Sequence, residues 1–195
     1  MADSSDTATP APGAPSDFLM ALYMGDRDKA TTLAESLTLT LPELAAFGDV
    51  AAVARHISRA PDDLQTYSGD GWTALHLAAF FGYASVVVEL LRAGASHSAS
   101  SHNAQGNTAL HAALAGRCDV PVITSLLAAG CSAAIADAQG YTPLHLAASR
   151  GNRAACELLL GCGAPHDACT PDGRTPSDIA LERGHADLAE WLSRP

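Results

Sequence analysis

Three histidines, His76, His111 and His145, each stand three residues after a threonine, in the segments "TALH", "TALH" and "TPLH". An imidazole can serve as a general base or a metal ligand, because it titrates near neutrality and its nitrogens coordinate zinc. Five cysteines could join such chemistry, and Cys156, Cys162, His166 and Cys169 lie close together in the chain. Their spacing is not the paired C-x2–4-C of structural zinc sites, so they read as scattered thiols. Cys118 sits between Arg117 and Asp119. A cationic neighbour lowers a thiol pKa, but a cysteine in a loop is weak evidence of a nucleophile. No G-x-S-x-G elbow, phosphate-binding glycine loop or H-E-x-x-H pair accompanies it. The residues therefore predict no catalytic site, no metal and no cofactor.

The elements that must position these histidines recur with them. "GWTALHLAAFFGY" begins at Gly71, "GNTALHAALAGR" at Gly106, "GYTPLHLAASRGN" at Gly140 and "GRTPSDIALERGH" at Gly173. Thr73, Thr108, Thr142 and Thr175 are spaced 35, 34 and 33 residues apart. Each motif is followed by a second apolar segment: "VVVELLRAGA", "VITSLLAAGC", "ACELLLGCGA" and finally "LAEWLSRP". Several copies of one unit at a fixed period mark a solenoid. The departures from 33 fall at turns. The first hairpin, "GASHSASSHNAQGNT", has two extra residues, and the second unit has one extra between its helices.

On this motif and period the chain resembles the ankyrin-repeat family, whose unit pairs a β-turn with two antiparallel helices. The resemblance implies an all-α solenoid of stacked ankyrin repeats, helix-turn-helix units linked by short β-hairpin loops, with irregular N- and C-terminal caps. Residues 67–102, 103–136 and 137–169 form the clear units, and 170–195 a C-terminal cap in which Asp178 replaces the motif histidine. Residues 17–66 form a degenerate cap of four short helices in which Gly48 aligns with Gly82. Residues 1–16, rich in Pro, Ala and Ser, carry too little apolar surface to fold. Within the third unit Pro143 suits the first helical turn, Thr142 its cap, and Ala147 and Ala148 a close helix approach. Leu144, Leu158, Leu159 and Leu160 supply core that one unit cannot bury alone.

In such a stack His76, His111 and His145 form a column with one member per unit, about 8–10 Å apart. Zinc ligands sit ~2 Å from their ion, so the column cannot converge on one metal. The resemblance assigns these histidines, with Thr73, Thr108, Thr142 and Thr175, to hydrogen bonds that hold the turns. Glu89 stands where the third unit has Leu158, a position where a bare buried carboxylate would be costly, and Arg117 is its expected partner.

The resemblance also implies function: binding another protein along a concave face of hairpin tips and first helices. The family's variable contact positions map onto Trp72, Asn107, Tyr141 and Arg174 in the hairpins, with Gln105 beside Asn107. At the ends of the first helices they map onto Phe80 and Phe81, then Leu114 and Ala115, then Ser149 and Arg150, then Glu182 and Arg183. Aromatic residues thus gather at the N-terminal end and arginines at the C-terminal end. Trp, Tyr and Arg are the types enriched in binding hot spots. The expectation is an apolar anchor near Trp72, Phe80 and Phe81, with Arg150 and Arg174 meeting an acidic group. Against it stands the reading that Phe80 and Phe81 pack on the N-terminal cap. The lengthened hairpin at 96–103 reads as a solvated loop.

Composition narrows the partners. There are 21 acidic against 11 basic residues, a formal charge of −10, and Lys29 is the sole lysine. A surface of this sign repels phosphate backbones, so nucleic acid and anionic membranes are not expected. No apolar stretch approaches the ~18 residues of a membrane span, and the first residues lack a secretory pattern. An odd, irregular set of cysteines suits reduced thiols in a cytoplasmic, single-copy adaptor or regulatory partner. The alternatives are a thiol- or metal-dependent enzyme using the Cys and His residues, and a self-associating structural module.

Overall fold

The computed structural model of the chain describes residues 14–117 and 119–194. Most of the expected N-terminal tail, together with Cys118, lies outside the described residues. Twelve short α-helices follow one another among those described: α1 (Asp17–Tyr23), α2 (Arg27–Ser36), α3 (Leu41–Phe47), α4 (Val50–Arg59), α5 (Ala74–Phe81), α6 (Ala84–Arg92), α7 (Ala109–Ala115), α8 (Val120–Ala128), α9 (Pro143–Ser149), α10 (Arg153–Gly161), α11 (Pro176–Glu182) and α12 (Ala186–Leu192). The odd-numbered helices from α3 to α11 each pack on the next and make an inner row. The series α4, α6, α8 and α10 makes the outer row. The loops between units carry only isolated antiparallel bridges, Tyr67 to Thr73 and Ser100 to Thr108, among the described residues. The hairpins are therefore shorter than strands, because each tip has only its neighbouring tips as partners.

Helix boundaries follow local chemistry. Thr40 and Glu43 form a reciprocal capping box at α3, and Asp49 and Asn152 cap α4 and α10 with their side-chain oxygens. Seven to ten residues is too short for a helix to hold itself in water, so packing must stabilise each one. That packing comes from fully buried Ala78, Ala112, Ala113, Ala147, Ala148 and Ala180, where inner helices approach closely. Leu75, Leu110, Leu144 and Leu159 fill the space between the two rows. A second, smaller apolar cluster is built by Phe18, Leu19, Leu22, Ala30, Ala46 and Leu77, with Trp72 and Phe81 packed against it.

Two irregularities have local causes. The extra residue of the second unit is taken up after α7, where Gly116 adopts φ −82° and ψ −126° instead of the left-handed turn seen at Gly82. The chain there runs over the end of α5, and Arg117 donates its backbone N–H to the Phe80 carbonyl at 3.1 Å. A Cβ on Gly116 would collide with the Phe80 backbone. The lengthened hairpin is largely exposed and is anchored at its base. Ser101 is buried and its N–H bonds the Asn107 carbonyl at 2.7 Å, while His102 donates its N–H to Gly71 and stacks on Tyr67. The same bond closes the other hairpins over four residues, as Asp137 to Tyr141, so the two extra residues lie in the tip between Ser101 and Asn107, where His102, Ala104 and Gln105 are exposed.

Glu89 also differs from expectation: its ion pair, at 3.8 Å, is with Arg92 one turn along α6 rather than with Arg117. Its side chain is partly exposed, so water removes the need for a buried partner.

Gly116 and Gly161 make a matched test of this geometry. Gly116→Ala should cost about 1–3 kcal/mol, because backbone has to shift. Gly161→Ala, at a helical position with open space around the site, should gain about 0.5–1 kcal/mol. Urea denaturation of the two variants checks both signs.

Candidate protein-interaction surface

The motif histidines are clamps. In the first clear unit His76 Nδ1 lies 2.7 Å from Thr73 Oγ1 and Nε2 lies 2.8 Å from the Asn107 carbonyl of the next unit. His111 repeats this between Thr108 and the Tyr141 carbonyl, at 2.8 and 3.1 Å. His145 repeats it between Thr142 and the Arg174 carbonyl, again at 2.8 and 3.1 Å. The Thr108 and Thr142 backbone N–H groups also donate to Nδ1. Nδ1 is then the acceptor, and Nε2 carries the proton donated to the next unit. Each imidazole is thereby assigned as a neutral tautomer. In the last unit Asp178 takes the place of the histidine and accepts from the Thr175 N–H and hydroxyl. It closes its own turn where no further unit follows among the described residues.

Burial keeps the column neutral. It lowers the pKa of His76 to about 4, against the pull of the Asn107 carbonyl, and pushes His111 and His145 below their ordinary value of 6.5. A neutral imidazole with both nitrogens engaged has no free lone pair for catalysis or a metal. Among the described residues no three His, Cys, Asp or Glu side chains are grouped to hold a metal ion. Cys156 is buried, whereas Cys162 and Cys169 are exposed.

The carbonyls held by this column belong to Asn107, Tyr141 and Arg174, the hairpin positions that vary from unit to unit. The clamp thus fixes the backbone beneath the side chains that vary from unit to unit. Those side chains have different fates. Trp72 is half-buried, edge-on to His76 and to Phe80. Phe80 and Phe81 meet edge to face, and Tyr23 of α1 contacts both. Gln105 is exposed, and its carbonyl accepts from the Ala138 N–H of the next hairpin. Asn107 is buried at 8% exposure, with its Oδ1 unsatisfied. Tyr141 lies edge-on to His145 and accepts through its hydroxyl from Arg174 at 2.8 Å.

The two arginines are engaged within the chain. Arg174 pairs with Glu182 at 2.9 Å and with Asp172 at 2.6 Å, the latter off the hydrogen-bonding line. Arg150 is exposed and donates to the Ala115 carbonyl across the inner row. Sequence reasoning missed Tyr23 and Asp70, whose hydroxyl and carboxylate meet at 2.7 Å. Burial, and then Asp70, raise the Tyr23 pKa, so the phenol stays a donor. No repeat periodicity pointed to this pair, because α1 lies outside the regular units.

An all-α solenoid of clamped helix-turn-helix units, with variable side chains along one face, defines a repeat protein of the protein-interaction class. The chain belongs to the ankyrin-repeat family: the description "Ankyrin repeats (3 copies)" matches residues 43–121 and 114–194. Mouse RelA-associated inhibitor is 39% identical over 97 residues, 48% of this chain and 12% of that protein. The probable 26S proteasome regulatory subunit p28 of Saccharomyces cerevisiae is 36% identical over 132 residues, 67% of this chain and 58% of that protein. Mouse ankyrin repeat and SOCS box protein 16 is 37% identical over 126 residues, 61% of this chain and 27% of that protein. The chain spans between about one eighth and three fifths of the length of these relatives. Among the described residues no helix is long and apolar enough to cross a membrane.

Two outcomes follow from the clamp. His111→Ala would strand the Tyr141 carbonyl and open a cavity, and should cost about 2–4 kcal/mol in urea denaturation. Below pH 6.5 the unfolded chain binds protons at these histidines that the folded chain refuses, down to about pH 4 at His76. Stability should therefore be full above pH 6.5 and fall as the pH drops, by up to about 1.4 kcal/mol per unit for each buried histidine. Urea midpoints across this range should show less fall in His111→Ala than in the parent chain.

Proposed function

We propose that this chain is a non-catalytic adaptor or regulatory partner that binds another protein with the concave face of its repeat stack. One observation carries the reading. The histidine column fixes the backbone at Asn107, Tyr141 and Arg174, while the side chains along that face change from unit to unit. A rigid scaffold carrying variable side chains is what specific recognition needs. Relatives named as an inhibitor and as a regulatory subunit support a regulatory role.

In this reading Tyr141 is the anchor of the open part of the face, held upright by Arg174. Gln105 and Arg150 supply exposed polar groups beside it, Asn107 the floor between them, and Trp72, Phe80 and Phe81 an apolar end. The net charge of −10 disfavours nucleic acid and anionic membrane as partners. The free thiols of Cys131, Cys162 and Cys169 suit a reducing compartment such as the cytoplasm, and the chain acts as a single copy.

Capture from native extract with the parent chain, followed by mass spectrometry, identifies the partner. Tyr141→Ala should then weaken its binding at least ~10-fold while the thermal midpoint stays within a few degrees. Glu157→Gln, on the outer-row helix α10, should leave binding unchanged. A partner retained by Tyr141→Ala and Arg150→Ala but lost by an outer-row variant would overturn the reading.

A further inference from the structure

In a regular stack each inner helix touches only the inner helices before and after it. Helix α1 breaks that rule. Phe18 packs on Phe47 at the end of α3, with ring centroids 5.8 Å apart, while Tyr23 packs on Phe80 and Phe81 at the end of α5. Its hydroxyl reaches Asp70 at the tip of the first hairpin. Ser16 bonds Glu43 in the first turn of α3, and the Ala14 carbonyl lies against Gly69. Helix α1 therefore packs on α2 and α3 and reaches the end of α5 and a hairpin tip with its side chains. Its apolar face closes a buried cluster with Ala30, Ala46 and Leu77, against which Trp72 and Phe81 pack.

The missing hairpin explains this placement. Between α2 and α3 the chain has only Leu37, Thr38, Leu39 and Thr40, and Leu37 is 47% exposed. With no hairpin to align it, α1 takes the apolar surface within its reach. It buries Phe18, Leu19 and Leu22 there and leaves Met20 and Met24 at 45% and 78% exposure. Its partner helix α2 has separate anchors. Arg27 donates to the Tyr83 hydroxyl at 2.6 Å and to the Phe47 carbonyl at 3.2 Å. Gly25, at φ 77°, separates the two helices.

We propose that the N-terminal end of the concave face is a docking groove for an amphipathic helix bearing a tyrosine, and that α1 is its resident occupant, replaced by a partner helix of the same chemistry. The seated helix shows what the groove selects: an apolar face ending in a phenol that donates to Asp70. Asp70 is prepared for that donor, since Ser68 holds its other carboxylate oxygen at 2.5 Å. Seven residues cannot stay helical without a surface to pack on, so α1 is ordered by the groove and lost on leaving it. Released, it would uncover Trp72, Phe80 and Phe81 as one aromatic patch continuous with the open part of the face. This deepens the reading of the concave face as the binding surface and rests on it.

The probe is a labelled synthetic peptide of residues 14–25, titrated against the full chain. The parent chain should bind it weakly, because its own α1 competes. Tyr23→Ala in the full chain weakens only the resident helix, and should raise peptide affinity at least ~10-fold. Against that variant, a peptide carrying Tyr23→Phe should bind ~10-fold less tightly, because one hydrogen bond to a carboxylate is gone. Adding Asp70→Asn to the chain should shrink this difference. Peptides that bind equally with and without the hydroxyl, or fail to bind the Tyr23→Ala chain while α7 to α12 stay folded, would overturn the proposal.

Hydrogen exchange on the parent chain gives a second measurement that needs no variant. Amides of Leu19 to Tyr23 should exchange at least ~100-fold faster than those of α7 and α9, through an opening of α1 alone. Equal rates would make α1 an inseparable part of the stack and sink the idea. If the peptide fails but Tyr141→Ala still loses the captured partner, the concave face keeps its role and only the α1 groove falls.

Discussion

The structure depends on one repeated contact, the imidazole that accepts from its own threonine and donates to a carbonyl in the next hairpin. Three consecutive histidines make it, and each joins two units that are otherwise held by apolar packing and a few hydrogen bonds that do not recur from unit to unit in the same form. Apolar contact is non-directional, so it would let neighbouring units slide or rotate at modest cost. A buried hydrogen bond has a required distance and angle, and leaving it unmade is expensive. The clamp therefore sets the register of the stack, while the alanines and leucines supply the driving force. It works only while the imidazole is neutral, and burial enforces that state.

The same contact separates scaffold from surface. Because the clamp grips a main-chain carbonyl, the side chain on that residue is free to change without loosening the array. Asn107, Tyr141 and Arg174 share a clamped backbone and differ in size, charge and exposure. Their surroundings then decide how each is used. Arg174 spends its charge on Asp172, Glu182 and Tyr141, so it orients an aromatic ring rather than standing as a bare cation.

At the N-terminal end the constraint is absent, and the chain behaves differently. The first two helix pairs lack the Thr and His pattern, and no hairpin precedes α3. Their placement is decided by apolar area and a few polar anchors: Ser16 on Glu43, Arg27 on Tyr83, and Tyr23 on Asp70. Without a directional clamp, α1 settles on α3 and against the end of α5, where Trp72, Phe80 and Phe81 offer the apolar surface it needs. Phe80 and Phe81 both touch Tyr23, so they pack on the N-terminal cap.

The sequence by itself determined the period, the helix pairs, the positions of both insertions and the structural use of the histidines. These are legible because each repeats: a threonine, a histidine and two alanines at the same offsets report one local environment several times over. Their environment is also made by near neighbours in the chain or in the adjoining unit. Only the tertiary structure decided what happens where nothing repeats. The ion partner of Glu89, the self-pairing of Arg174 and the seat of α1 each join residues through three-dimensional competition for partners. Tyr23 and Asp70 are 47 residues apart, with no second copy to reveal their pairing. Periodicity encodes contacts made many times, whereas a contact made once is fixed by the shape of the whole stack.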